Sequence, residues 1–197
     1  MKEYETLRTE ILDRMNAIVQ YNMLLYTVTV AVLAFAFEKE SPFLFLVPYV
    51  AIITIHLLTE EERKKTARIS SYMIVFLENL KDSEYHWESR FYKRTVAYAK
   101  KHAILSFNIP VHTPHLFIAF VCSGCSIWKA VLSDTTNFEK WASIMFVVLL
   151  TVFTVVFMIR IIRYNSRIKT TYIKEWQAIK DAEEQEARKR NANRNPQ

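Results

Sequence analysis

AILSFNIPVHTPHLFIAFVCSGCSIW, residues 103–128, contains no Asp, Glu, Lys or Arg over 26 positions. About 20 residues of helix cross the roughly 30 Å hydrocarbon core of a bilayer, so this stretch is long enough to do so. Three more uncharged runs accompany it: Met15–Phe37, Ser41–Thr59 and Trp141–Ile159, of 23, 19 and 19 residues. The chain is 51% hydrophobic, yet 23% of it is charged. Its apolar residues are therefore sorted into blocks rather than spread along amphipathic elements, which is the pattern of membrane spans and not of a soluble core.

The first run follows the mixed-charge segment MKEYETLRTEILDR and exceeds the 7–15 residue apolar stretch of a signal peptide. The sequence thus predicts a retained span. Of 26 basic residues, 23 fall before the first run, between the second and third, or after the fourth. By the positive-inside rule these segments, and both termini, are expected in the cytoplasm.

The expected fold is all-α and polytopic, with four transmembrane helices in two hairpins and a cytoplasmic helical layer. Residues 1–14 read as a cytoplasmic amphipathic helix, 15–59 as the first transmembrane hairpin and 60–102 as a cytoplasmic helical hairpin. Residues 103–159 then form the second transmembrane hairpin, 160–187 a cytoplasmic helix and 188–197 a disordered basic tail. Pro42 stands where the second span should begin, and Pro48 one turn further in is expected to kink it. No Gly or Pro occurs between Pro48 and Pro110, so the second span should run on as helix through Ile69, Tyr72, Val75, Phe76 and Leu80. The segment KDSE, residues 81–84, is the expected turn. Tyr4, Leu7, Ile11, Met15 and Ile18, and likewise Ile168, Tyr172, Trp176 and Ile179, recur at helical spacing and need apolar partners.

Cys122 and Cys125, the chain's only cysteines, flank its only glycine, Gly124. A redox C-x-x-C needs a partly exposed helix start, and zinc needs two further N or S ligands. Inside a span, small residues more simply permit close helix packing, which is the expected role of Cys122, Gly124 and Cys125. His112 and His115 read as interfacial polar groups, with a metal pair or a protonatable gate as the sharper alternative. Asn22, Thr27, Thr29, Thr151 and Thr154 are candidate pore-lining or interhelical polar residues. Arg160, Arg163 and Arg167 share a face beyond the fourth run and are candidates for binding lipid headgroups or an anionic ligand.

The charge-free span cores disfavour an ion-coupled transporter, which needs intramembrane ionisable groups. One glycine cannot build a phosphate-cradling loop, and neither G-x-S-x-G nor H-E-x-x-H occurs. No enzyme activity, catalytic residue, metal or cofactor is expected. Nucleic acid is not needed to explain the net charge of +6, which a membrane topology already demands.

YETLRTEILDR (4–14), RISSYMIVFLE (68–78) and the following Trp87–Glu88 resemble a group of bacterial multipass proteins with a Y-x-x-L-R-x-E-I start. The layout over about residues 4–90 is similar to SLATT-type two-span effectors: an N-terminal helix, a span hairpin, then a cytoplasmic helix. The resemblance implies a homo-oligomeric, channel-like effector of antiviral defence in the bacterial inner membrane, with the lipid bilayer as its medium. The second hairpin departs from that layout, and makes a non-conducting anchor for a soluble cytoplasmic partner the alternative.

Overall fold

The computed structural model describes residues 2–39, 42–78, 86–101, 109–132, 137–165 and 168–194. Among the described residues the chain is helical throughout, with no strand. The helices are α1 (Lys2–Lys39), α2 (Pro48–Tyr72), α3 (Trp87–Lys101), α4 (Ile109–Leu132), α5 (Asn137–Asn165) and α6 (Ile168–Arg194). Four segments are long and apolar enough to cross a membrane: Lys2–Lys39, Leu44–Leu77, Thr113–Leu132 and Lys140–Ile161. The fold is that of a multi-pass helical membrane protein.

Local chemistry sets the helix ends. Glu3 and Glu5 in the first turn of α1 and Lys39 in its last complement the helix dipole. Pro42 opens a short 3₁₀ turn, Pro42–Leu46, within which the second apolar segment begins at Leu44. Pro48 is then the first residue of α2, where its missing N–H goes unused, so the α-helix starts at this proline rather than running through it. Pro110 lies in the first turn of α4 and Pro114 inside that helix. The KDSE turn lies outside the described residues, as does the connection from α3 to α4.

The chain divides into two compact units. The membrane unit comprises Met15–Glu62 and Phe107–Arg163. Its core gathers Leu25 of α1, Tyr49, Ile52 and Ile55 of α2, Ile118, Ala119 and Cys122 of α4, and Met158 of α5. The second, helical unit comprises Met1–Arg14, Arg63–Ser106 and Tyr164–Gln197. Within it α2 gives way to one turn of π-helix, Met73–Leu77, closed by the Glu78 N–H donating to the Met73 carbonyl at 2.9 Å. A π-turn adds a residue to the helical ladder and loosens it, a feature often found at functional positions. Lys180 Nζ of α6 donates to the Val75 carbonyl of this turn at 3.0 Å.

The aromatic side chains of the amphipathic faces do find one another. Tyr72 stacks on Phe76 at 4.9 Å, and both meet Trp176 of α6 edge-on at 5.4 and 6.1 Å. Helix α6 differs from expectation at its end, since it continues to Arg194 where the sequence suggests a disordered tail from residue 188. Ion pairs one turn apart, Arg188–Glu184 at 3.9 Å and Arg190–Glu186 at 3.4 Å, support those turns.

Candidate functional site

Each unit carries one polar constellation. In the membrane unit the Tyr49 hydroxyl of α2 is the hub. It donates to the Ala119 carbonyl of α4 at 2.9 Å and also bonds the Ser123 hydroxyl. It lies 2.9 Å from Thr151 Oγ1 of α5, and Ser123 and Thr151 are themselves 2.7 Å apart. The carbonyls of Ala119 and Val147 lie 2.7 Å from the Ser123 and Thr151 hydroxyls as alternative acceptors; each hydroxyl carries one proton and donates either to that carbonyl or to a neighbouring hydroxyl. The three protons have acceptors on all three helices, and no hydroxyl is left without one, as a lipid environment requires.

Thr151 is thus an interhelical tie. Thr154 is fully buried and donates back to the Leu150 carbonyl at 2.8 Å. Thr27 is exposed and donates to the Met23 carbonyl at 3.0 Å. Thr29 Oγ1 and Asn22 Oδ1 on α1 are buried without a hydrogen-bond partner among the described residues. The five candidates therefore do not converge: two close within the chain, one faces outward, and two on α1 are left unsatisfied.

His56 of α2 and His115 of α4 are both fully buried, with their rings edge-to-face at 5.3 Å. The sequence flags His115 but not its pairing with His56, because 58 residues separate them. The His112 side chain lies outside what the structure describes. Among the described residues no group of three or more His, Cys, Asp or Glu side chains comes together as metal ligands.

The C-x-x-C reading requires a correction. Cys122 is fully buried in the core and Cys125 is half-buried, both as thiols. Gly124, however, is exposed, and a Cβ there would meet nothing within 4 Å. Cys122 packs closely, whereas Gly124 permits no helix approach within one chain. Arg160 and Arg163 are exposed on α5, and Arg167 lies outside the described residues.

The helical unit holds the constellation that sequence reading missed. Glu78, delivered by the π-turn, accepts hydrogen bonds from the backbone N–H groups of Glu88 and Ser89 at 2.8 and 2.7 Å. It also accepts from the Ser89 hydroxyl at 2.6 Å and the Tyr4 hydroxyl at 3.4 Å. A carboxylate so placed caps α3 from a different helix and opposes the positive end of its dipole. Glu88, itself buried, accepts from Ser70, and pairs with Lys169 of α6 at 3.4 Å and Arg8 of α1 at 3.6 Å.

Lys169 also donates to Ser70. Burial pulls its pKa below the ordinary lysine value, against the opposing pull of Glu88. Burial and the nearby Glu78 push the Tyr4 hydroxyl up; a hydrogen bond to Glu3 and then burial do the same for Tyr72. Two carboxylates, a lysine and an arginine thus bind the start of α1, the end of α2, α3 and α6 into one network. Only a charge-rich segment with no fixed partner is visible in the sequence.

The fold and these two constellations define a multi-pass helical membrane protein whose polar side chains serve mainly to join helices. Comparison with protein-family models, with curated proteins and with solved structures returns no match.

Proposed function

We propose that this chain is an oligomeric effector of the bacterial inner membrane, with both termini and the helical unit in the cytoplasm. In this reading a cytoplasmic trigger engages the helical unit, and the membrane segments of several copies then perturb or open the bilayer. Antiviral defence is the setting that the resemblance to SLATT-type effectors implies.

One observation carries the oligomeric part. Only 11% of the most apolar stretch of α1 is buried within the chain, against 44% for the second span. That lightly covered helix carries the buried but unsatisfied Asn22 and Thr29 oxygens and the exposed Thr27. Polar atoms at such positions are stabilised by a neighbouring helix or by water, not by lipid. A second copy set against α1 covers its exposed apolar side chains and Thr27. The orientation rests on 23 of 26 basic residues falling on one side.

The closed Tyr49–Ser123–Thr151 cluster favours a second reading, in which the membrane unit is a non-conducting anchor. There the helical unit recruits a soluble partner. Membrane potential, followed with a voltage-sensitive dye in bacteria expressing the chain, separates the two. The effector reading expects depolarisation that is lost in an Asn22→Leu, Thr27→Leu variant inserted at the same level. An unchanged potential at full membrane insertion overturns it and leaves the anchor.

A further inference from the structure

Helix α3 presents two faces of opposite chemistry. Its inner face is fixed: Glu78 caps its first turn, Glu88 is held by Lys169 and Arg8, and the Tyr92 hydroxyl lies 3.1 Å from Thr170 Oγ1. The helix cannot roll without breaking these contacts, so the residues opposite them are committed to the outside. Trp87, Arg90, Phe91 and Arg94 recur at i, i+3, i+4 and i+7 and form one stripe. Trp87 and Phe91 are about half exposed, and their rings stack in parallel at 5.2 Å. Arg90 and Arg94 are exposed on this stripe and Lys93 is exposed on its flank, with no ion-pair partner among the described residues. The Arg8 guanidinium, paired with Glu88, also sits over the Trp87 ring at 4.0 Å and helps to hold it in place.

We propose that this face of α3 docks onto the anionic lipid surface of the bilayer that the chain crosses. Indole and phenyl rings flanked by arginine and lysine suit the boundary between headgroups and acyl chains. There the rings enter the apolar zone and the cations meet phosphate. Connectivity keeps the surface within reach, because Lys101 at the end of α3 precedes Thr113, the start of the third span. The eight steps of chain from Lys101 to Ile109, the start of α4, reach at most about 28 Å. Charge disfavours the other simple occupant. A second copy placed symmetrically against α3 would bring Arg90 and Arg94 against their own counterparts, whereas anionic headgroups neutralise them. The inference holds whether the membrane unit conducts or only anchors.

The test uses the full chain in nanodiscs of phosphatidylcholine alone or mixed with phosphatidylglycerol. The difference between wild-type and Trp87→Phe emission isolates Trp87 from the other three tryptophans. The expected result is that phosphatidylglycerol shields Trp87 several-fold from aqueous acrylamide, and that lipids brominated near the headgroup quench it. High salt should weaken the shielding. A variant with Arg90, Lys93 and Arg94 all changed to Gln keeps Trp87 and its inner-face contacts, and is expected to lose both effects at unchanged helix content. Equal acrylamide quenching in the two lipids overturns the proposal. So does shielding that brominated lipid does not report and that appears only with two chains per disc, since a second copy would then be the occupant.

Discussion

Removing the Glu78 carboxylate tests whether the π-turn exists to cap α3. The side chain accepts two backbone N–H groups at 2.8 and 2.7 Å and the Ser89 hydroxyl at 2.6 Å, all beside the buried Glu88. Loss of a helix cap costs about 1 kcal/mol, and a hydrogen bond to a charged group contributes about 1.5–3 kcal/mol. These overlap rather than add, because the same carboxylate supplies both. Glu78→Ala should therefore lower the free energy of opening α3 by about 3 kcal/mol. At about 1.4 kcal/mol per tenfold, that corresponds to ~150-fold faster amide exchange. Glu78→Gln keeps one acceptor but turns its NH₂ toward a second donor, so an intermediate loss of about 1–2 kcal/mol is expected. Hydrogen–deuterium exchange on the full chain should be read at Phe91–Arg94, which lie beyond the capped amides and report opening of the helix as a whole. If exchange there is unchanged in Glu78→Ala, the carboxylate does not hold α3 and the network is incidental.

Tyr49→Phe deletes the hub of the membrane cluster and should destabilise the membrane unit by about 1–2 kcal/mol, read by unfolding in mixed micelles, since hydrogen bonds between transmembrane helices average about 0.6 kcal/mol each. No change would mean that Ser123 and Thr151 re-pair without loss. Lys169 is held below the ordinary lysine value by burial, so between the two values the unfolded chain binds more protons and stability rises with pH. The thermal midpoint of the helical unit should climb as pH approaches roughly 10, a rise that Lys169→Met abolishes; above that, the raised Tyr4 and Tyr72 act in the opposite sense. Gly124→Ala fills open space on an exposed helix face, so it should stabilise a single chain by about 0.5–1 kcal/mol in the same unfolding assay. Destabilisation there, with a shift toward monomer, would mean that a second copy packs against Gly124.

What the sequence disclosed was set by how local each signal is. The charge-free runs suffice for four spans because lipid imposes its demand on every residue of a crossing helix. Amphipathic spacing likewise announces the Tyr72–Phe76–Trp176 cluster, although not which helices meet there. Pro48 was misread because a proline six residues after Pro42 looks interior until the intervening 3₁₀ turn is known. The tail beyond residue 188 was misread from composition alone; its polar, basic residues also supply pairs one turn apart. Tyr49, Ser123 and Thr151 look like an interfacial aromatic and two small polar residues, and nothing local indicates that chain segments 74 and 102 residues apart share one hydroxyl. Glu78 and Glu88 carry no local signal of burial, because burial of a carboxylate is decided by cations on distant helices. Size marks Gly124 as a residue that permits close packing, but size does not say which way its helix face turns, and within one chain it turns outward.

Taken together, the hydrogen bonds of the membrane unit indicate which span is incomplete in a single chain. On α2, α4 and α5 the Tyr49, Ser123, Thr151 and Thr154 hydroxyls all find acceptors, so those helices form a settled core. Helix α1 enters that core through Leu25, yet holds two buried oxygens with no donor and shows Met15, Val19, Met23, Tyr26 and Val30 outward. Both oxygens are already enclosed within the single chain, so neither lipid nor a second copy touches them; replacing Asn22 and Thr29 with Leu and Val removes an unmet polar burden and should stabilise the chain without changing its assembly. A second copy can meet only the outward stripe, where Met23 and Val30 are 63% and 66% exposed. Met23→Trp with Val30→Trp should therefore weaken assembly while the single chain holds if α1 is the interface of an oligomeric effector. A self-contained anchor shows no change in assembly, because lipid accommodates the larger side chains.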